Sequence, residues 1–329
     1  MRNRTRILAG LLGAVTAVAV FASACGGDDG KGTPATGTGS TPATAASATA
    51  AQPAQDLTKF TNPQLLLESQ ALAAKLSDAS IVIVDLRSKE NYDKGHVPGA
   101  VWYDPSKLKD PDDKLYVIRD TLFAENVGAL GIDGTKPIVS YDDGNGLSAT
   151  RFWWVMWYYG FEKGAVLNGG WAKWAKESLP SSTEAAKVAK VAFKAQVNSQ
   201  AICALDYVEK KSEEKDPNVV ILDVRSAAEF TGADVRAAKG GHVPNAVNLD
   251  WTRSLTDAEP KVWKSPADLR KQFADAGVKP GMQVITYCQT GVRAAHSLFT
   301  LRLLGYDSVR NFDGSWQEWG NNKNTKVAQ

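Results

Sequence analysis

The chain carries one sequence pattern twice, and only the later copy has a cysteine at the matching position. The matched segments are residues 137–174 with 283–319, and residues 81–100 with 219–246. Cys288 in the later copy stands opposite Asp142 in the earlier one. Residues that both copies share are therefore candidates for the fold, and residues found in one copy only are candidates for chemistry.

The order of apolar segments predicts two α/β domains. A chain of 329 residues is long enough for two separate cores. In each copy a β-branched run, Ile81–Val84 or Val219–Leu222, predicts a buried strand. A later apolar run leads through a turn into a segment with helical spacing of apolar residues. Strands that alternate with helices predict a mostly parallel sheet flanked by helices in each domain.

The domain boundaries follow from the two copies and from composition. The first domain is predicted at residues 57–180 and the second at residues 199–322, with a linker rich in Ala, Lys and Ser at 181–198. The net charge is +2, which provides no basic surface for nucleic acid, so a nucleic-acid partner is excluded.

Residues 1–25 have the three-part layout of an export signal. Three arginines precede an apolar run from Ile7 to Phe21, which is shorter than the ~20 residues of a membrane span. A short Ala-Ser-Ala segment then leads to Cys25. This layout resembles a bacterial lipoprotein signal, which implies that Cys25 is lipidated and anchors the protein to the outer face of the cytoplasmic membrane. Cleavage after Ala24, which leaves a periplasmic or secreted protein, is the alternative.

Residues 26–56 are predicted to be a disordered tether. The segment contains no Leu, Ile, Val, Met or aromatic residue, so it cannot bury enough apolar surface to offset its ordering entropy. A flexible chain of this length reaches ~30 Å from end to end. Such a segment would connect a membrane anchor to the first domain.

Two cysteines remain after Cys25, and neither lies in a metal-binding pattern. There is no Cys-x-x-Cys pair and no Cys/His cluster, so no metal site is expected. Cys203 lies in an apolar segment and is expected to be an inert, part-buried thiol. A Cys203–Cys288 disulfide is the less favoured alternative outside the cytoplasm.

Cys288 lies between the end of a predicted strand and the start of a predicted helix. Backbone N–H groups of a tight turn, together with those of the first helical turn, can all point at one atom there. A sulfur atom at that place is favoured as the thiolate, with the loop amides contributing more than the helix dipole. Gly291 suits a turn position that needs unusual dihedral angles or a close backbone approach.

Four motifs, spread over residues 57–320, resemble the tandem rhodanese-domain sulfurtransferases, which use thiosulfate or 3-mercaptopyruvate. They are Asp223-Val-Arg, Gly241-His-Val-Pro, Cys288-Gln-Thr-Gly-Val-Arg and Gly314-Ser-Trp. The resemblance implies two rhodanese-like domains, of which the second takes sulfane sulfur onto Cys288. The resulting persulfide would pass its sulfur to a thiophilic acceptor such as cyanide or a thiol. No metal or organic cofactor is implied.

The resemblance also implies which residues hold the sulfur. The persulfide would rest against the loop residues that follow Cys288, namely Gln289, Thr290, Gly291, Val292 and Arg293. The first domain would be catalytically silent, because the Asp142 carboxylate cannot accept sulfur and would repel an anionic donor. Polar side chains at positions 289 and 290 favour thiosulfate slightly over 3-mercaptopyruvate, since they can donate to an oxyanion.

The chain departs from the family at the donor-binding position. Glu229 stands where relatives that use thiosulfate often have an arginine. Arg236 and Lys239 lie in an insertion that the first copy lacks, and either could replace that contact. Arg293 has two open interpretations: its side chain braces the loop, or it contacts an anionic donor.

Three rival functions are considered. A phosphatase of related fold has a Cys-x5-Arg loop, whereas Cys288-x4-Arg293 is one residue shorter and too small to surround three phosphate oxygens. A Cys-His hydrolase needs an imidazole beside the sulfur, yet His296 lies two helical turns, ~12 Å, along the chain. A sulfur-binding or redox-sensing module without turnover is the alternative to an enzyme.

Several conspicuous residues are assigned to the fold. Asp85/Arg87 and Asp223/Arg225 recur in both copies and are predicted to be hydrogen-bonded pairs. The aromatic cluster at positions 153–159 is predicted to lie in the core or at the interface between the domains.

Overall fold

Each half of the chain forms a five-stranded parallel sheet. The computed structural model describes residues 56–329, and the signal peptide, Cys25 and the tether as far as residue 55 lie outside them. The strands of the first sheet are β1 (Leu66–Leu67), β2 (Val82–Asp85), β3 (Val101–Trp102), β4 (Ile138–Tyr141) and β5 (Gly164–Leu167), in the order β1-β5-β4-β2-β3. The β-branched run at 81–84 therefore forms the predicted buried strand.

The second sheet repeats this topology. Its strands are β6 (Ile202–Cys203), β7 (Val219–Asp223), β8 (Val247–Asn248), β9 (Gln283–Tyr287) and β10 (Val309–Phe312), in the order β6-β10-β9-β7-β8. Every strand pairing within both sheets is parallel. The predicted α/β architecture of two matched domains is confirmed.

Ten helices accompany the strands in the described part of the chain. They are α1 (Ser69–Ala73), α2 (Lys89–Lys94), α3 (Asp120–Gly128), α4 (Leu147–Tyr158), α5 (Gly170–Lys176), α6 (Leu205–Glu214), α7 (Ala227–Thr231), α8 (Pro266–Asp275), α9 (Val292–Leu303) and α10 (Ser315–Trp319). Among residues 56–329, no helix has both the length and the apolar character that a membrane crossing requires.

Helices α4 and α9 pack against each other and join the two domains. Both are buried on nearly all sides, because each lies between its own sheet and the other domain. Trp153 on α4 meets Phe299 on α9 edge to face, with ring centroids 5.0 Å apart. The aromatic cluster of the first domain therefore fills both the core and the interface, as expected from its composition.

A buried ion pair stabilises the same place in each domain. Arg225 contacts Asp223 at 2.6 Å, donates to the carbonyl of Gly241 at 2.7 Å, and lies 4.4 Å from the ring centroid of Trp316. The first domain repeats this arrangement with Arg87 and Asp85. Because the arginine joins the end of a strand to a distant loop, the pair fixes that loop on the sheet.

The segments outside the predicted domain cores also have defined positions. Within the linker, Val191 and Gln196 donate backbone hydrogen bonds to Gly128 and Tyr159 of the first domain. Beyond residue 322, Ala328 forms a β-bridge with His242 of the second domain. The linker thus lies along the first domain, and the C-terminal tail packs on the second.

Removal of one partner from the buried pair should strongly destabilise the protein. Arg225→Met leaves the Asp223 carboxylate buried without its cation, which costs about 3–5 kcal/mol of unfolding free energy. Urea unfolding followed by tryptophan fluorescence measures the change. Asp93→Asn is the control, because it removes a half-exposed pair with Lys89 and should cost at most about 1 kcal/mol. Equal effects of the two substitutions would contradict this interpretation.

Candidate active site at the Cys288 loop

Cys288 lies directly after the central strand β9 and shortly before α9. Gly291 caps that helix with φ of 78°, and a Cβ atom there would overlap the Asp313 carboxylate. Only glycine fits both restrictions, which confirms the prediction for this position. The Cys288 carbonyl accepts a hydrogen bond from the backbone of Trp316 at 2.9 Å, and its N–H donates to the Ser315 hydroxyl at 3.1 Å.

The first domain has the same turn with Asp142 at its start. The carbonyl of Asp142 accepts from Trp171 at 2.9 Å, as that of Cys288 does from Trp316. Gly146 caps α4 with φ of 74° and so matches Gly291. The two turns thus share their anchoring contacts, although the turn of the first domain is one residue longer.

The Asp142 carboxylate is held by a ring of backbone N–H groups. One oxygen accepts from Gly144 and Gly146, both at 3.0 Å, and the other from Ser148 at 2.9 Å and Ala149 at 3.3 Å. Burial raises the pKa of Asp142, while these four donors oppose the rise by stabilising the charged form. The turn and the start of the helix therefore form an anion cradle, and in this domain the protein's own side chain fills it.

A persulfide on Cys288 has the same connectivity as this carboxylate. The outer sulfur of Cys–S–S⁻ and the oxygens of Asp142 are both two bonds from Cβ, and both carry negative charge. In the second domain, Gly291, Arg293 and Ala294 occupy the positions that match three of the four donors. Among the described residues, no side-chain oxygen accepts from those three N–H groups. The cradle of the second domain is thus suited to one added sulfur atom.

The predicted loop residues lie together, but their side chains have separate partners. Gln289 donates to the Arg236 carbonyl at 3.0 Å and to Gln317 at 3.2 Å, and Thr290 is exposed at the surface. Val292 begins α9. These contacts hold the loop against the insertion that carries Arg236.

Arg293 braces the loop through Glu229. Its guanidinium makes two hydrogen bonds to that carboxylate, at 2.7 and 2.8 Å, and Glu229 is 1 % exposed. Although burial opposes its charge, Glu229 and the nearby Cys288 hold the pKa of Arg293 above its usual value. Arg293 thus makes the bracing contact, and its contact with an anionic donor stays a prediction.

Both cations of the insertion make polar contacts within the second domain. Arg236 is half exposed, contacts Asp234 at 2.6 Å and lies 3.5 Å from Glu229. Lys239 donates to Asn322 and Thr325 of the C-terminal tail, at 2.6 and 2.7 Å. These contacts tie the insertion to Glu229 and to the C-terminal tail.

The histidine and the second cysteine that the sequence analysis considered are both buried. His296 packs against Trp263, and burial lowers its pKa to about 3. Cys203 and Cys288 are both free thiols, and burial raises the pKa of Cys203 to about 12. Among residues 56–329, no group of three or more potential ligands could hold a metal ion.

Comparison with known proteins agrees with this geometry. The family model of the rhodanese-like domain matches residues 68–177 and again residues 205–322. The chain belongs to the rhodanese family.

Two curated relatives cover most of both chains. The thiosulfate sulfurtransferase of Azotobacter vinelandii is 33% identical over 271 residues, which are 82% of this chain and 98% of the relative. The 3-mercaptopyruvate sulfurtransferase of Escherichia coli K12 is 33% identical over 264 residues, which are 76% of this chain and 92% of the relative. The crystal structure of SseA from Escherichia coli superposes with a TM-score of 0.68 at 31% identity, covering 77% of this chain and 98% of that one. This rhodanese is accordingly a sulfurtransferase.

Three further residues of this rhodanese meet behind the cysteine loop, and sequence reasoning missed them. Lys109 and Arg151 come from the first domain, and Asp313 follows β10 in the second. Arg151 donates to the Gly291 carbonyl at 3.3 Å and to Asp313 at 2.5 Å. The comparison of copies that singled out Cys288 could have found them, because their matched positions carry different residues.

Loss of the Glu229 charge should lower the unfolding free energy of this rhodanese above pH 4.5. Although burial opposes it, the hydrogen bonds from Arg293 lower the pKa of Glu229 to about 2. A lowered pKa stabilises the fold above the unfolded value, and this stabilisation is lost as pH falls through the folded value. Glu229→Gln should therefore lower the unfolding free energy at pH 7, and the gap to wild type should narrow between pH 4.5 and 2. Urea titrations measure both unfolding free energies. A difference between wild type and Glu229→Gln that stays constant from pH 4.5 to 2 would contradict the ion pair of Glu229 with Arg293.

Proposed function

We propose that this sulfurtransferase moves sulfane sulfur from thiosulfate to a thiophilic acceptor through a persulfide on Cys288. The observation that carries the proposal is the ring of four N–H groups around Asp142. It identifies the turn as an anion cradle. The turn after Cys288 has residues at three of these four donor positions, namely Gly291, Arg293 and Ala294, and would use them for an anion that forms on Cys288.

The first half of the reaction loads the cysteine. The Cys288 thiolate attacks the outer sulfur of thiosulfate and forms a new S–S bond. The S–S bond of the donor breaks, and sulfite leaves with the electron pair. The N–H groups of Gly291, Arg293 and Ala294 would stabilise the persulfide anion, because they match donors that hold the Asp142 carboxylate in the first domain.

The second half returns the enzyme to its starting state. An acceptor such as cyanide attacks the outer sulfur, the S–S bond of the persulfide breaks, and thiocyanate leaves with the Cys288 thiolate restored. A thiol acceptor would leave as its own persulfide. The direct attack needs no general base, which agrees with a buried, neutral His296 outside the site.

The silent role of the first domain follows from its filled cradle. Asp142 is buried and has no thiolate on which sulfane sulfur could be loaded. Its carboxylate already uses the N–H groups that an added sulfur would need. We therefore assign the first domain to support of the site rather than to a second catalytic centre.

The N-terminal residues favour a location of the protein outside the cytoplasm. We infer that residues 1–25 direct export, that Cys25 is lipidated, and that residues 26–56 connect the anchor to the domains. The support is the order of three features in the sequence: basic residues first, then an apolar run, then small residues before Cys25.

Replacement of Cys288 by Ser should abolish sulfur transfer. A hydroxyl cannot form the persulfide, so steady-state thiocyanate formation from thiosulfate and cyanide should fall by roughly three orders of magnitude or more. Cys203→Ser and Asp142→Asn are the controls and should keep most of the activity. After incubation with thiosulfate, intact mass spectrometry should find one added sulfur atom on wild type and none on the serine variant.

The outcomes separate the proposed enzyme from its alternatives. A protein that stops after one equivalent of sulfur is a sensor rather than an enzyme. If 3-mercaptopyruvate loads sulfur onto Cys288 with release of pyruvate and thiosulfate does not, the donor is 3-mercaptopyruvate. Sulfur transfer retained in Cys288→Ser would refute the assignment of Cys288 as the residue that carries the sulfur.

Replacement of Cys25 should release the protein from the membrane. Without the thiol no lipid can be attached, so Cys25→Ala should move the protein from the detergent phase to the aqueous phase in Triton X-114 partition of expressing bacteria. Wild-type protein found in the aqueous phase would instead indicate ordinary cleavage after Ala24.

A further inference from the structure

Two of the three cations that the sequence places near Cys288 are already neutralised, and the third, Lys239, is held by carbonyl groups of the C-terminal tail. Arg293 and Arg236 carry two positive charges, and Glu229 and Asp234 carry two negative charges within 3.5 Å of them. An anionic donor therefore meets no net charge from this group. A further cation near the loop would favour binding of a dianion such as thiosulfate.

A second charged group, behind the same loop, does carry a net charge. Asp313 is buried and contacts Arg151 at 2.5 Å and Lys109 at 3.5 Å. Two cations share one carboxylate, so the group has a net charge of +1. Because Arg151 has the shorter contact with Asp313, Lys109 is the cation whose charge is least compensated.

The duplicated domain provides an internal control for these charges. Lys109 forms a β-bridge with Val117, and the same bridge in the second domain joins Leu255 to Trp263. Asn168 follows β5 as Asp313 follows β10. Leu255 and Asn168 therefore occupy, beside the silent turn, the places that Lys109 and Asp313 occupy beside the catalytic turn.

The third member of the group has a neutral counterpart as well. Arg151 lies five residues after the helix cap Gly146, and His296 lies five residues after the cap Gly291. Burial lowers the pKa of His296 to about 3, so it is uncharged at neutral pH. All three positions are charged beside Cys288 and neutral beside Asp142. A shared fold therefore does not require the charges, and a function of the catalytic turn is their explanation.

We propose that Lys109, contributed by the silent first domain, is the donor-binding cation of the Cys288 site. The Leu115 carbonyl, at 2.7 Å, and the Asp313 carboxylate, at 3.5 Å, hold the ammonium group of Lys109. Arg151 in turn ties that carboxylate to the Gly291 carbonyl. This inference rests on the proposed function and adds the residue that recognises the anionic donor. The first domain is then part of the active site.

The surroundings of Lys109 suit this role. Its side chain is 16% exposed, and together with Lys107 and Lys114 it lines a cavity of about 540 Å³ formed by first-domain residues. Burial and the neighbouring Arg151 lower the pKa of Lys109 to about 8, although Asp313 and Cys288 oppose this change. A cation that is only partly hydrated and partly paired gains most from a bound anion.

Kinetics of Lys109→Gln in the full-length protein test the inference. The variant should lower kcat/KM for thiosulfate ~10-fold or more, the usual effect of losing a hydrogen bond to a charged group. Lys107→Gln lies on the same segment and lines the same cavity, so it is the matched control and should change kcat/KM little. Lys109→Arg should restore much of the loss.

Salt dependence separates recognition of the donor from a structural role. Added NaCl should depress kcat/KM for thiosulfate more steeply in wild type than in Lys109→Gln, because salt screens the attraction that the variant lacks. Unchanged kcat/KM in Lys109→Gln, or an equal salt slope in the two proteins, would overturn the inference. In that case wild-type activity would still support the proposed function, whereas absent wild-type transfer would refute the proposed function itself.

Discussion

A ring of backbone N–H groups at the start of a core helix is the interaction on which the site depends. The strand, turn and helix that form it are duplicated, and the second turn has residues at three of the four donor positions. In the first domain it holds the Asp142 carboxylate through four hydrogen bonds of 2.9–3.3 Å. Such a ring needs a glycine with positive φ at the helix cap, and Gly146 and Gly291 meet that need in the two turns.

The two domains have diverged around this shared element. One turn contains its own anion, and the other begins with a thiol on which an anion can form. The neighbours differ in the same sense: Lys109, Asp313 and Arg151 are charged beside the thiol, and their counterparts are neutral. Much of the chemistry of the second domain therefore depends on side chains of the first, and α4 and α9 keep the two in register.

Much of this could be predicted from the sequence, because local patterns determine it. The β-branched runs predict the central strands. The position of Cys288 between a strand and a helix predicts an anion-binding turn, and the duplicated Asp223/Arg225 pattern predicts a buried pair. That the Asp142 carboxylate cannot accept sulfur follows from the sequence alone, whereas its burial within a ring of four N–H donors depends on the fold.

The remaining features depend on contacts between distant residues. Glu229 neutralises Arg293 across 64 positions, and Lys109 reaches Asp313 across 204 positions from another domain. No periodicity or motif predicts such contacts, since packing of the complete fold creates them. The same holds for the linker, whose path along the first domain follows from hydrogen bonds to Gly128 and Tyr159.

A crystal structure of the protein after treatment with thiosulfate measures the central claim most directly. The account predicts one extra sulfur atom bonded to Cys288, within hydrogen-bond distance of the N–H groups of Gly291, Arg293 and Ala294, and an unmodified Asp142 turn. Extra sulfur density on another residue, or a modified Cys288 side chain turned away from those N–H groups, would contradict it.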